Sequence, residues 1–112
     1  MSARQAKREL GRSALIFAAL GDRNRLLIIA RLSSEGPLSI SRLTHGGSVT
    51  RQAVTKHLHV LANAGLAGSS KSGRESVWQL EPEPLDAARR CLDSISVQWD
   101  AALNRLKTFV ER

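Results

Sequence analysis

The chain has 112 residues and one cysteine, and its 17 Lys and Arg side chains against 10 Asp and Glu give a formal charge of +7. This length predicts one domain with its own core, and a single thiol excludes an internal disulfide and fits a reducing compartment such as the cytoplasm. The apolar runs are too short to cross a bilayer, so the positive charge favours an anionic partner, either nucleic acid or an acidic membrane surface.

The positive charge is concentrated in the middle of the chain. No Asp or Glu occurs between Gly36 and Arg74, whereas acidic and basic side chains nearly balance over residues 81–112. We therefore expect a surface formed by the middle of the chain to face a polyanion. A second basic cluster lies near the N terminus, in an extended arm or in a first helical turn, and consists of Arg4, Lys7, Arg8 and Arg12.

Three helical segments are predicted in the first half of the chain. Residues 6–20 form the first, with one apolar face made of Leu10, Ala14, Phe17 and Leu20. Asp22 is the expected N-cap of a second helix that continues to about Ser33, with an inner face made of Leu26, Ile29 and Leu32. The dipeptide Gly36-Pro37 ends that helix, and a short third helix follows over 39–44.

A fourth helix and a hairpin complete the acid-free region. Thr50 begins the helix and Gly65 ends it, as an N-cap threonine and a C-terminal glycine do. Its inner face consists of Val54, Leu58 and Leu61. Two short strands then follow, Leu66–Ser70 and Glu75–Leu80, around a polar turn of residues 71–74.

The last helix is predicted over 83–110, with Pro82 and Pro84 marking its entry. Its apolar residues recur every seventh position, and again three positions later, which is the heptad pattern of paired helices. The two series are Leu85, Leu92, Trp99 and Leu106, and Ala88, Ile95, Ala102 and Phe109. A helix about 40 Å long exceeds what the core of a small domain needs. Pairing with a second copy is therefore predicted, with packing on its own core as the alternative.

This order of elements predicts a mainly α fold with a small β-hairpin wing, a winged helix-turn-helix, as a single domain over 1–112. The fourth helix fits the major groove, where Arg can pair with guanine and Gln with adenine. Lys and Arg in the wing suit phosphate or the minor groove. The expected contacts to double-stranded DNA are Thr50, Arg51, Gln52, Thr55, Lys56, His59, Lys71 and Arg74.

Three segments resemble the arsenic-repressor (ArsR) family of winged-helix regulators. Residues 17–26, FAALGDRNRL, are similar to its opening, residues 50–66 to its recognition helix, and residues 73–80 to the returning strand of its wing. The resemblance implies a homodimeric transcriptional repressor, paired through its first and last helices on a two-fold symmetric operator. The residues expected at the dimer interface are Leu10, Phe17, Leu85, Leu92, Ile95, Trp99, Leu106 and Phe109.

The sequence departs from the metal-sensing members of this family. Those members carry a Cys-x-Cys pair in the short helix, or Asp, His and Glu ligands on the last helix. Here the short helix has no cysteine and the last helix has no histidine, so the resemblance is to the metal-independent branch and no metal cofactor is expected. His57 and His59 point in different directions on a helix; we expect His57 to pack inside and His59 to face DNA or solvent.

The sequence is also compatible with other functions. A winged helix can serve as a protein-interaction module, in which case binding would not fall steeply with salt. Binding to a membrane surface through Arg4–Arg12 is disfavoured, because that stretch has almost no bulky apolar face. Cys91 is expected to be a buried small residue, with a redox switch as the alternative. We see no acid–base pair for an enzyme, and the sequence does not indicate an effector.

Overall fold

The computed structural model describes residues 2–111, which form five helices and a three-stranded antiparallel sheet. The elements in chain order are α1 (Ala3–Leu20), α2 (Arg23–Glu35), β1 (Leu38–Ser39), α3 (Ile40–Thr44), α4 (Arg51–Asn63), β2 (Ala67–Ser72), β3 (Glu75–Leu80) and α5 (Pro82–Val110). The predicted fold class, mainly helical with a hairpin wing, is confirmed. Strand β1 was not predicted, because two residues are too short to show a sequence pattern.

Helix α1 begins three residues earlier than predicted. Ser2 and Gln5 form a capping box, in which the amide of Gln5 donates to Ser2 Oγ and the amide of Ser2 donates to Gln5 Oε1. This cap places the N-terminal basic cluster within the helix rather than in an arm. The buried face of α1 consists of Ser13, Ile16 and Ala19. Of the predicted face, Leu10 and Ala14 are exposed, whereas Phe17 and Leu20 are half-buried against the core.

Helix α2 is joined to α1 by the side chains of Asp22 and Arg25. Asp22 is the N-cap, as predicted: its Oδ1 accepts from the amide of Arg25 at 3.0 Å. That hydrogen bond keeps the pKa of the Asp22 carboxyl below its ordinary value. The Arg25 guanidinium donates to the carbonyl oxygens of Ala18 and Ala19 at the end of α1, where Ala18 also accepts from the amide of Gly21. The angle between the two helices is therefore held by polar contacts as well as by packing.

The predicted inner face of α2 is wrong at one position. Leu26 is 49% exposed, and Ile28 with Leu32 provides the buried contacts instead. Leu26 and Ile29 have the same apolar character as Ile28, so periodicity alone does not distinguish which stripe the neighbouring helices cover.

The short helix α3 is held from two sides. Ser39 caps its start by accepting from the amide of Arg42 at 3.2 Å. At its other end, Arg31 Nη1 donates to the carbonyl oxygens of Arg42 and Leu43 at 3.0 and 3.2 Å. Glu35 orients that guanidinium through a 2.8 Å ion pair. A helix of five residues is too short to be stable alone, so these contacts and the burial of Leu43 fix it.

Helix α4 has the predicted ends and the predicted inner face. Thr50 Oγ1 accepts from the amide of Ala53 at 3.1 Å. At the other end the amides of Gly65 and Leu66 donate to the carbonyls of Ala62 and Leu61, both at 2.9 Å, with Gly65 at φ +77°. This is the Schellman arrangement, which needs a left-handed residue after the helix. Val54, Leu58 and Leu61 are buried as predicted.

The sheet has the order β1-β3-β2, and the hairpin of β2 and β3 forms the wing. Ser72 pairs with Glu75, so the wing turn contains only Gly73 and Arg74, two residues fewer than predicted. Gly73 adopts φ +64° there, a conformation that hairpin turns require and glycine allows. Strand β1 pairs with the outer edge of β3, with Leu38 opposite Trp78, and this pairing joins the wing to the helix-turn-helix.

Helix α5 has 29 residues, close to the predicted range, and extends beyond the core. Only its first turns pack inside the domain, where Pro84 and Ala88 are buried. Beyond them it projects away, and the molecule reaches 67 Å in its longest dimension. The central core lies among α1, α2, α4 and the sheet; its most deeply buried side chains are Ile16, Leu58, Leu61 and Leu66.

Candidate nucleic-acid interface

The outer side of α4 is open to solvent over its first three turns. Arg51, Gln52, Lys56 and His59 are exposed, as predicted. Gln52, Lys56 and His59 lie opposite the buried stripe that begins with Val54, and Arg51 lies to one side of them. Thr55 is only half-buried, and its hydroxyl donates to the carbonyl oxygen of Arg51 at 2.9 Å. The Thr55 methyl group is therefore the part of that side chain left for outside contacts.

Arg51 points along the surface toward α3. Its Nη1 donates to Ser41 Oγ at 3.1 Å. Arg51 occupies the first position of α4, where a side chain reaches back over the preceding turn. Arg51 is one of the residues predicted to contact DNA, but its contact with Ser41 could not be predicted from the sequence, because that contact depends on how the two helices cross.

His59 lies against the wing. Its ring centroid is 6.1 Å from that of Trp78, with the ring planes tilted by 55°, so the exposed imidazole lies beside the buried indole. Trp78 Nε1 is buried and has no hydrogen-bond partner within residues 2–111. His57 is half-buried and is close enough to Asp22 to help lower the pKa of that carboxyl, as the weakest of its causes. The two histidines thus face different neighbours, as the helical spacing predicted.

The wing presents Lys71 and Arg74 at its exposed end. Lys71 lies on β2 opposite Ser76, and Arg74 is in the turn. Arg74, Arg51 and residues of α3 line one cleft between the wing and the helix-turn-helix. The fold therefore brings together the wing and the start of α4, which are separated by about 20 residues of sequence.

The residues predicted for a dimer interface lie on α1 and α5, away from the outer side of α4. Phe17 and Leu85 are half-buried against the core. The others are open to solvent, with exposed fractions from 43% at Ile95 to 72% at Phe109; they are Leu10, Leu92, Ile95, Trp99, Leu106 and Phe109. Cys91 is half-buried rather than buried as expected, because this part of α5 is already leaving the core.

Two further properties bear on the kind of protein. Among residues 2–111, no group of three or more His, Cys, Asp or Glu side chains is placed to hold a metal ion. No helix in the same part of the chain is long and apolar enough to cross a membrane.

Known proteins share this fold and much of this sequence. An uncharacterised HTH-type transcriptional regulator of Bacillus subtilis, YuzN, is 42% identical over 81 residues, which is 67% of this chain and 88% of that protein. An ArsR-like transcriptional regulator from Rhodococcus is 35% identical, with a TM-score of 0.77 over 89% of this chain and 93% of that one. The chain belongs to the ArsR-like helix-turn-helix transcriptional regulators.

A more distant structure shares the fold of this ArsR-like regulator. The homodimeric winged helix-turn-helix DNA-binding domain of a possible ArsR-family regulator from Mycobacterium bovis is 23% identical, with a TM-score of 0.66 over 94% of this chain and 93% of that one. No family model matches the chain. In this ArsR-like regulator, α3 and α4 are the helix-turn-helix and β2 with β3 is the wing, so it is a DNA-binding transcriptional regulator.

Proposed function

We propose that this ArsR-like regulator is a homodimeric repressor that binds a two-fold symmetric operator through α4 and the wing. The observation that carries the proposal is the exposed, acid-free outer side of α4, with Gln52 and Lys56 facing away from the core. A helix with such a side can enter the major groove without repulsion from its own carboxylates. Gln52 is the candidate for reading adenine, and Lys56 for a phosphate or a guanine.

The remaining proposed DNA contacts surround this helix. Thr50 lies at the N terminus of α4, where free amides favour a phosphate. Thr55 offers its methyl group to a base, and His59 is at the side of α4 that faces the wing. Lys71 and Arg74 extend the positive surface along the wing, toward phosphate or the minor groove.

The dimer is supported by the apolar surface that α1 and α5 leave uncovered. Trp99, Leu106 and Phe109 are each more than half exposed on one heptad face of α5. A monomer rarely leaves so many large apolar side chains on one side in contact with water. A second copy that packs against α1 and α5 would cover them, and the Mycobacterium bovis fold neighbour is homodimeric. The proposed interface also includes Leu10, Phe17, Leu85, Leu92 and Ile95.

A two-fold dimer of this kind would present two α4 helices to one face of the duplex. Recognition helices in such dimers lie about 34 Å apart, one turn of B-form DNA, which predicts an inverted-repeat operator. A dimer bound over a promoter represses by excluding the polymerase. Because a regulator acts where the DNA is, the proposed compartment is the cytoplasm. The proposal assigns no catalytic residue and no metal cofactor, and it leaves the effector unassigned.

Selection of bound duplexes from a random pool, followed by mobility shifts at fixed salt, tests the proposal. The wild-type protein should enrich an inverted repeat and bind it more tightly than random duplex. Gln52→Ala should reduce discrimination at one base pair of each half-site by about 1–3 kcal/mol. Asn104→Ala, a polar truncation on α5, is the matched control. Binding without enrichment would refute sequence-specific recognition, and binding of protein partners with little salt dependence would favour an interaction module.

A further inference from the structure

The cleft between the wing and α3 is lined by groups that suit an anion. It has a volume of about 260 Å³, and its lining residues include Arg51, Arg74, Ser39, Ser41 and Ser76. Five parts of the fold contribute: the end of β1, the start of α3, the start of α4, the wing turn and the first residues of β3. No single segment of sequence shows this convergence.

The two serines on the α3 side of the cleft, Ser39 and Ser41, each already accept one hydrogen bond. Ser39 Oγ accepts from the amide of Arg42 at 3.2 Å, and Ser41 Oγ accepts from Arg51 Nη1 at 3.1 Å. Each hydroxyl proton is therefore left to donate to a third group. Together with the remaining N–H groups of Arg51, these hydroxyls give this side of the cleft both hydrogen-bond donors and positive charge. That combination is the chemistry that recognises a phosphate oxygen.

The size of the cleft favours a single phosphate group over a larger anionic small molecule. Pockets that bury drug-sized molecules have volumes of about 300–1,000 Å³, and this cleft lies below that range. That space suits one phosphodiester with the edges of its two sugars. The cleft also adjoins the N-terminal end of α4, along the path that a DNA strand would follow from the major groove to the wing.

We infer that Arg51, Arg74 and the serine hydroxyls hold one phosphodiester of the DNA backbone, so that Arg51 supplies affinity rather than base readout. The inference rests on the proposed function and revises the role that the sequence assigned to Arg51. A guanidinium bound to Ser41 is directed across α3 and the cleft. To reach a guanine it would have to leave Ser41 and move to the face occupied by Gln52 and Lys56.

Glu75 also lines the cleft and opposes the anion. No ion pair within 4.0 Å joins it to Arg51 or Arg74 in the described part of the chain. Its carboxylate therefore lowers the affinity of the site for any phosphate. The site is consequently expected to be weak for a lone ion and effective for a phosphate that other contacts hold in place.

The test compares the affinity of single and double variants for an enriched duplex and for random duplex. Arg51→Ala should weaken both by the same factor, so that the ratio of the two affinities stays at the wild-type value. Glu75→Gln should strengthen both. Arg90→Ala removes the same charge from α5 and is the matched control. A fall in the ratio on Arg51→Ala, with random-duplex binding unchanged, would make Arg51 a base reader and overturn the inference.

The salt dependence of DNA binding reports how many phosphates the protein contacts. Each phosphate contact contributes about 0.9 to the slope of log K against log salt. If Arg51 and Arg74 hold one phosphate, the variant carrying both R51A and R74A should lose about 0.9 from the slope for each protomer. For the dimer the expected loss is therefore about 1.8. A loss of about 3.6, or about 1.8 for each protomer, would mean that each arginine meets its own phosphate, and it would refute the shared site. Circular dichroism verifies that the variants are folded.

A free phosphate ion offers the same chemistry as the DNA backbone. Inorganic phosphate is therefore titrated into the DNA-free protein at constant ionic strength, and the amide resonances of Ser41 and Ser76 are followed by NMR. No saturation at millimolar phosphate is expected. Saturation that also releases bound duplex would assign the cleft to a free anion and overturn the backbone assignment. If the wild-type protein enriches no sequence, the proposed function itself fails; if Arg51→Ala changes selectivity, only this inference fails.

Discussion

Trp99 is the most direct probe of the proposed dimer. It lies on the heptad face of α5 and is 64% exposed. Since a tryptophan buries about 150–250 Å² when fully covered, about 100–160 Å² of Trp99 is still open to water. At about 25 cal/mol per Å², covering that area stabilises a dimer by about 2.5–4 kcal/mol for each copy. The two copies together would contribute about 5–8 kcal/mol. Because buried area converts incompletely into affinity, we expect about half of that to appear in the dimerisation free energy.

Trp99→Ala should therefore weaken dimerisation by about 2.5–4 kcal/mol, a rise in Kd of roughly 70- to 800-fold. Sedimentation equilibrium over a range of protein concentrations measures this. Val97 is the matched control, because it lies on the same helix and is 68% exposed but falls outside both heptad series. Val97→Ala should leave the Kd unchanged. A Trp99→Ala protein that dimerises like the wild type, or a monomeric wild type at micromolar concentration, would refute the assignment of this face.

Three further predictions concern the fold that positions the site. Leu58→Ala removes a side chain with no exposed surface and should lower the free energy of unfolding by about 2–5 kcal/mol in urea denaturation. Gly65→Ala places a Cβ on a residue at φ +77° and should cost about 1–2 kcal/mol in the same assay, whereas Gly11→Ala, in the exposed face of α1, should not. The hydrogen bond from Arg31 holds the pKa of Glu35 below its ordinary 4.5. The stability that this ion pair contributes is therefore present above pH 4.5 and is lost as the pH falls through the lowered pKa. In the Glu35→Gln variant, the free energy of unfolding should depend less on pH in this acidic range than it does in the wild type.

The sequence alone determined the positions of most helices and strands. The fold class, the caps at Asp22 and Thr50, the left-handed Gly65 and the inner face of α4 all followed from local signals. Caps and glycines act within one turn of the chain, and the stripe of α4 is flanked by polar residues that exclude other faces. Where every face of a helix carries apolar residues, as in α2 with Leu26, the signal is ambiguous. The choice is then made by the neighbouring helices.

Only the tertiary structure decided how distant residues meet. Three contacts join elements that are separate in the sequence. They are the hydrogen bond from Arg51 to Ser41, the hydrogen bond from Arg31 to the end of α3, and the packing of His59 beside Trp78. Such contacts depend on the angles and distances between packed elements, which arise from the whole core and leave no trace in a short window of sequence. The composition of the middle of the chain indicated a polyanion, but the cleft where one phosphate would be held exists only after α3, α4 and the wing have packed together.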